Sequence, residues 1–323
     1  MTNLNLGSWI PACTGMSGQW ARRTLHAIAS VALLASIVPA AAQPLSVVTT
    51  TSDLRSLVEA VGGERVAVVS LVPPNFDPED YQPRPQDLTR LKDAKLVVRV
   101  GLDFDLWFDK LLVQASGAVQ RGGPGYVDAS YAIAPLEVRG VTVGSGDGHA
   151  HGSGNPHYWL DPKNAEIITV SILQGLMRVD PENAPLYEAN RFAFINRLNA
   201  KLTEWATQAA ALNGVPLVAY HNSWAYFARR FRLDFIGYVE PRPGVPPPPS
   251  HVASLIRLMQ SRKARIIVRQ PYEPESDIAF LAGRTGSKVV TLAASVGALP
   301  GAADYLSLFD VNLAALLAVA PKP

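Results

Sequence analysis

Residues 180–212 read DPENAPLYEANRFAFINRLNAKLTEWATQAAAL. Asp180-Pro181 is typical of an N-cap and first-turn proline, so this pair is expected to restart a helical segment that runs from Lys163 to about Leu212. The restarted piece has about 30 residues and would be roughly 45 Å long. We therefore predict a long helix that can cross the whole molecule.

Strand-like and helix-like segments alternate on both sides of this helix. The expected strands are 45–51, 66–72 and 95–100 before it, and 215–220, 235–239, 264–268 and 288–292 after it. They are mostly apolar, which is typical of parallel sheets covered on both faces. The sequence predicts an α/β fold of two lobes with central parallel sheets flanked by helices, residues 43–162 and 213–323. Residues 163–212 would form the helical linker with its long bridging helix.

The first 42 residues have the pattern of a signal peptide for the general secretory route. Arg22 and Arg23 precede an apolar run, 28–38, that is too short to span a bilayer comfortably. Small residues follow, and we expect cleavage between Ala42 and Gln43. The sequence therefore predicts an exported, periplasmic protein.

Composition narrows the function further. The only cysteine, Cys13, lies inside the expected signal peptide, which excludes a disulfide or a thiolate metal site in the mature chain. The net charge is +2 and no basic block is present, so nucleic acid is not an expected partner. We expect a monomer.

Three separated loops each place one metal-ligand side chain beside apolar, strand-like sequence. Glu79 lies in the loop after the strand 66–72, His157 lies in the turn NPHYWLDP, and His221 directly follows the strand 215–220. In open α/β sheets, ligands collect at the carboxyl ends of strands. One carboxylate and two imidazoles suit a first-row divalent cation.

Each of these residues also has a structural interpretation. His157 could be a turn histidine bonded to backbone, and His221 could pack against Trp224 at a helix start. Glu79 could be an ordinary exposed glutamate, and Asp80 competes with it for the role of ligand.

Two further histidines, His149 and His151, lie in the glycine-rich segment 140–156. A short His-x-His can assist metal capture, but a solvated linker is the favoured interpretation. His251 follows Ser250 at a helix start, where a structural role is favoured. The sequence contains no G-x-S-x-G, Walker loop or H-E-x-x-H motif, so an enzyme is not expected.

Several motifs, in order along nearly the whole mature chain, resemble the solute-binding proteins of zinc and manganese ABC importers. The matching segments are TTTSDL at 49–54, DP at 77–78, YQPRPQDL at 81–88, PHYWLDP at 156–162, YH at 220–221, EP at 240–241 and TGSKVV at 285–290. The resemblance implies two α/β lobes bridged by one rigid helix, with the metal in the cleft between them. It also implies a membrane permease as partner.

The implied ligands are Glu79, His157 and His221, with two departures from the family pattern. The first family ligand is a histidine, and here that position is Glu79. The fourth is often an aspartate, but the matching stretch, 292–295, has no carboxylate. Water could complete the site, or a nearby carboxylate could replace the lost ligand, the candidates being Asp80, Glu240 and Glu273.

The ligand set favours zinc, because zinc binds more strongly than manganese at a given nitrogen and oxygen site. A glutamate in place of the first histidine shifts the preference toward manganese or ferrous iron. A ligand set this reduced could also bind a metal held by a small chelator. A metal-dependent hydrolase is the alternative from another class, since catalytic zinc sites keep an open position.

Overall fold

Two four-stranded parallel sheets form the framework of this computed structural model, which describes residues 1, 2, 7, 43–115, 117–137, 154–242 and 244–320. The first sheet has the order β2-β1-β3-β4 and the second has the order β6-β5-β7-β8. The strands are β1 Leu45–Thr49, β2 Val66–Ser70, β3 Leu96–Arg99, β4 Tyr126–Asp128, β5 Pro216–Ala219, β6 Asp234–Tyr238, β7 Ile266–Arg269 and β8 Lys288–Thr291. The prediction of two parallel α/β lobes is confirmed.

Helices connect the strands and flank both sheets. They are α1 Ser52–Gly62, α2 Pro85–Asp93, α3 Trp107–Leu112, α4 Ala165–Val179, α5 Ala184–Ala209, α6 Ala225–Phe231, α7 Pro249–Arg262, α8 Glu275–Thr285 and α9 Tyr305–Val319. Thr51 caps α1 by accepting from the backbone N–H of Leu54, and α7 starts at Pro249 after an extended Pro248.

The long helix α5 begins later than the sequence predicts. A short 3₁₀ turn, Pro181–Asn183, precedes it, and the side chain of Asp180 makes no N-cap bond. Instead the Asp180 carboxylate accepts hydrogen bonds from the Tyr187 hydroxyl at 2.5 Å and from the Asn183 amide at 2.9 Å. Helix α5 has 26 residues and is therefore about 39 Å long.

Helix α5 packs against the hydrophobic cores of both lobes. Its buried side chains, Tyr187, Phe194, Leu198 and Trp205, belong to a single hydrophobic cluster that contains strand residues of both sheets. The Trp205 ring lies 5.1 Å from the Phe309 ring of α9, and its indole N–H donates to Asp310 at 2.7 Å. The proposed lobe boundaries at residues 162 and 212 stay a prediction.

Some sequence predictions concern residues outside the ranges that the structure describes. The expected signal peptide, apart from residues 1, 2 and 7, and both His149 and His151 lie outside the described residues. Among the described helices, none combines the length and apolar character needed to cross a membrane.

Candidate metal centre

The loop that carries Glu79 follows β2 and is fixed at two points. The Asp77 carboxylate accepts from the Glu79 backbone N–H at 2.9 Å, and the Trp107 indole donates to the Pro78 carbonyl at 2.9 Å. Tyr81 packs against Trp107 with ring centroids 4.7 Å apart. Burial raises the pKa of Asp77 to about 6, although the Glu79 N–H opposes that shift. These contacts hold the Glu79 side chain at 16% exposure.

His157 lies just before a 3₁₀ turn, Tyr158–Leu160, at the end of the N-terminal lobe. Asn155 orients it, because the Asn155 side-chain oxygen accepts from the His157 backbone N–H at 3.0 Å and lies 3.2 Å from Nδ1. The imidazole packs between Phe104 and Trp159, each with a centroid distance of 5.3 Å. Its other nitrogen, Nε2, lies 3.5 Å from Glu79 Oε1.

His221 follows β5 and comes from the C-terminal lobe. Its Nδ1 lies 2.8 Å from Glu240 Oε2, and its Nε2 lies 3.6 Å from Glu79 Oε1. Glu240 is itself held by the Gly244 backbone N–H, which donates to Oε1 at 2.6 Å. Burial lowers the pKa of His221, but hydrogen bonds with Glu240 and Glu79 outweigh it and raise the pKa to about 10. A carboxylate on the second imidazole nitrogen is the usual support of a metal-binding histidine.

The structure brings Glu79, His157 and His221 together as a triad. One ligand atom from each lies within 4.8 Å of the other two, and the two imidazole centroids are 5.6 Å apart. Both histidines are buried, at 5% and 8% exposure. Two nitrogens and one carboxylate oxygen at this spacing can hold a first-row divalent ion. Within the described ranges, no other group of histidine, cysteine, aspartate or glutamate residues has this geometry.

The carboxylates considered as a fourth ligand do not join this triad. Glu240 contacts His221 and Gly244, as described above. Glu273 is buried and accepts from the Gln270 backbone N–H at 2.6 Å and from the Gln270 amide at 3.1 Å. Asp80 is exposed. The structure therefore groups three protein ligand atoms and leaves these carboxylates outside the triad.

The segment 292–295, where the family aspartate would lie, is fixed by other bonds. Asn312 of α9 holds the Ala293 backbone from both sides, accepting from its N–H at 2.8 Å and donating to its carbonyl at 2.7 Å. The Trp159 indole donates to the Ala294 carbonyl at 2.9 Å. The segment thus contacts the turn of His157 through a tryptophan instead of supplying a ligand.

Polar bonds join the two lobes close in sequence to the two histidines. Arg230 of α6 makes a two-pronged ion pair with the buried Asp161, with contacts of 2.6 and 3.0 Å. Glu137 accepts from the side-chain amides of Asn155 and Asn222 at 3.0 Å each. Asp161, Asn155 and Asn222 lie one to four positions from a histidine, so these bonds fix the backbone that presents the imidazoles. Glu137 and Arg230 belong to no sequence motif, so their roles could not be predicted from the sequence.

Comparison with known proteins gives the same family as the motifs. Residues 47–319 match the family model described as "ZnuA: Zinc-uptake complex component A periplasmic". The iron-binding protein YfeA of Yersinia pestis is 26% identical over 88% of this chain and 89% of its own length. The manganese ABC transporter substrate-binding lipoprotein PsaA of Streptococcus pneumoniae is 27% identical over 68% and 69%.

A solved structure adds the three-dimensional likeness. A zinc-bound deletion mutant of ZnuA is 26% identical, with a TM-score of 0.74 over 87% of this chain and all of that chain. The named relatives and this structure concern three metals: iron, manganese and zinc. The chain belongs to the ZnuA family of periplasmic metal-binding proteins, whose members are substrate-binding components of zinc, manganese and iron ABC transporters.

Proposed function

We propose that this protein captures a divalent metal ion at Glu79, His157 and His221 and delivers it to the membrane permease of an ABC importer. The observation that supports this most directly is the convergence of three ligand atoms within 4.8 Å, from loops that are far apart in the chain. All three belong to one chain, so a monomer is sufficient for binding.

Zinc is the metal that we propose first. Two imidazoles and one carboxylate suit zinc, and at such a site zinc binds more strongly than ferrous iron or manganese. Glu240 supports metal binding by His221, since its carboxylate lies 2.8 Å from Nδ1 and Nε2 then faces the triad. Iron and manganese are the alternatives, because YfeA and PsaA are named for them.

The role is binding and delivery rather than catalysis, as in the transport proteins of the family. We place the protein in the periplasm, exported by the segment 1–42. The name of the family model and the signal-like sequence both support that location.

The test is calorimetric titration of the metal-stripped protein with Zn²⁺ and with Mn²⁺. We expect one zinc per chain and weaker manganese binding. The double variant His157→Ala/His221→Ala should lose at least about 100-fold in zinc affinity, because two of three protein ligands are gone. His251→Ala is the matched control: this histidine bonds the Tyr238 carbonyl at 2.9 Å and is not part of the triad.

Unchanged one-to-one zinc binding in the double variant would reject the site. Equal losses in the double variant and in His251→Ala would indicate a general folding defect, and a thermal unfolding scan of each variant separates that result from loss of ligands.

A further inference from the structure

The proposed metal position opens onto a cavity much larger than an ion needs. The cavity has a volume of about 430 Å³ and is bounded on one side by Glu79 and His221. Pockets of 300–1,000 Å³ are typical of small-molecule sites. A divalent ion held by three protein atoms has coordination positions left over, and here those positions adjoin space for a small organic ligand.

The walls of the cavity select by charge. Its lining includes six carboxylates, and no lysine or arginine is among its described lining residues. The carboxylates are Asp77, Glu79, Asp80, Glu240, Glu273 and Asp277. An anionic chelator, such as one built from carboxylates, would be repelled by these walls, whereas amine N–H groups would find acceptors.

The remaining walls are apolar or aromatic. The rings of Phe76, Tyr220 and Tyr272 and the prolines Pro246 and Pro274 face the same space. Aromatic faces attract cations and pack against methylene groups. Carboxylates beside such surfaces complement a molecule with amine groups joined by short methylene chains.

We propose that the cavity admits the metal together with a small, uncharged or cationic amine chelator. This inference rests on the proposed function, because the triad must bind the metal for a chelator to be held beside it. The protein would supply Glu79, His157 and His221, and the chelator nitrogens would fill the open coordination positions. Glu273 and Asp277 would accept hydrogen bonds from the chelator.

The test compares two tridentate chelators of opposite character on the full-length protein. Diethylenetriamine gives a zinc complex of charge +2, and iminodiacetate gives a neutral complex whose carboxylates meet the acidic walls. Native mass spectrometry reads the composition of the complex, and calorimetry reads its affinity. We expect a protein–zinc–triamine complex, bound at least about 10-fold more tightly than the iminodiacetate complex.

The variant Glu273→Gln/Asp277→Asn assigns the effect to the cavity. Both changes keep the shape of the side chain and lie outside the triad. Binding of zinc alone should stay within about 2-fold, while the triamine complex should weaken about 10-fold, as expected when hydrogen bonds to two carboxyl groups are weakened together. Thermal unfolding of the variant checks that the fold is retained.

The two proposals fail in different ways. No binding of zinc, with or without triamine, overturns the proposed function and this inference with it. Zinc bound without triamine overturns only the inference, since the cavity would then hold water around a bare ion. Equal binding of both chelators, or a triamine complex unaffected by the double variant, also overturns it.

Discussion

The two lobes have the same strand order, but the arginine at the end of one matching strand has different partners in each lobe. The third strands in sequence, β3 and β7, occupy matching places in the two sheets, and each ends in an arginine, Arg99 and Arg269. Arg99 is buried and donates to the carboxylates of Asp105, at 2.7 Å, and Asp109, at 2.5 Å. An acidic side chain in the N-terminal lobe is thus neutralised where it is buried.

In the C-terminal lobe, Arg269 has no buried carboxylate partner among its described bonds. Arg269 donates to the backbone carbonyls of Pro271 and Glu273 and to the exposed carboxylate of Glu275. Burial raises the pKa of Glu273 to about 8, against opposing hydrogen bonds from Gln270. The same scaffold therefore pairs the buried Asp105 with Arg99 in one lobe, whereas in the other lobe Arg269 does not pair with the side chain of Glu273, which lines the cavity.

The largest effect on stability is expected from breaking the buried Arg99–Asp105 ion pair. Asp105→Ala removes the partner of a buried guanidinium and the acceptor for the backbone N–H groups of Val100 and Gly101. We expect a loss of about 3–5 kcal/mol in the free energy of unfolding. Denaturant unfolding measures it, with Asp109→Ala as the control: that carboxylate is one-third exposed, so its loss should cost less. Equal losses would contradict the comparison.

A pH titration of stability sharpens the comparison between buried acids of the two lobes. Burial raises the pKa of Asp53 in α1 from 3.8 to about 7, and that of Glu273 from 4.5 to about 8. In those intervals the folded protein keeps a proton that the unfolded chain loses. Stability should therefore fall as pH rises, by about 2–4 kcal/mol for each group, and level off above the folded pKa.

Asp53→Asn and Glu273→Gln separate the two contributions. Each variant should flatten the thermal unfolding midpoint over its own interval, ending near pH 7 for Asp53 and near pH 8 for Glu273. A parallel curve displaced from that of the unmodified protein would show that the group does not titrate in this range.

A smaller effect is expected from the support of the metal position in the C-terminal lobe. Glu240→Gln weakens the hydrogen bond that orients His221, and zinc affinity should fall about 10- to 100-fold. Calorimetry at fixed pH measures the loss. Gln270→Ala is a nearby control, because Gln270 contacts Glu273 and not the triad. An unchanged zinc affinity in Glu240→Gln would show that Glu240 does not support metal binding by His221.

The smallest effect belongs to the exposed partner of Arg269. Glu275 is 83% exposed, so Glu275→Ala should change the free energy of unfolding by less than about 1 kcal/mol. Denaturant unfolding beside Asp105→Ala makes the contrast between the lobes quantitative. A loss as large as that of Asp105→Ala would show that the two strand-end arginines are equivalent after all.

Sequence pattern predicted the elements that have strong local signals. Runs of β-branched residues identified β1, β2 and β3, and the carboxyl-end rule placed Glu79 and His221 where loops meet. Strand β4, Tyr126–Asp128, was missed, because three residues after the glycine-rich turn 122–125 are too few to show a period. The start of α5 was also misplaced, since Asp180 bonds to side chains rather than to the helix backbone.

The contacts that complete the site have no local signal. Glu240 was one of several carboxylates that could have replaced the lost ligand, and only its 2.8 Å contact with His221 Nδ1 assigns it a supporting place. Asn312 and Glu137 act on residues at least 18 positions away in the chain. Such pairings depend on how the lobes pack, and a single sequence does not contain that information.

The bonds between the lobes have a consequence for the rate of metal exchange. A wide opening would have to break the Asp161–Arg230 ion pair and the Trp159–Ala294 hydrogen bond together. The loop of Glu79 is held more lightly, chiefly through Asp77 and the Pro78 carbonyl. We therefore expect the residence time of a bound ion to depend on the fluctuations of the Glu79 loop. A permease could then release the ion by displacing a few residues of this loop while both lobes keep their positions.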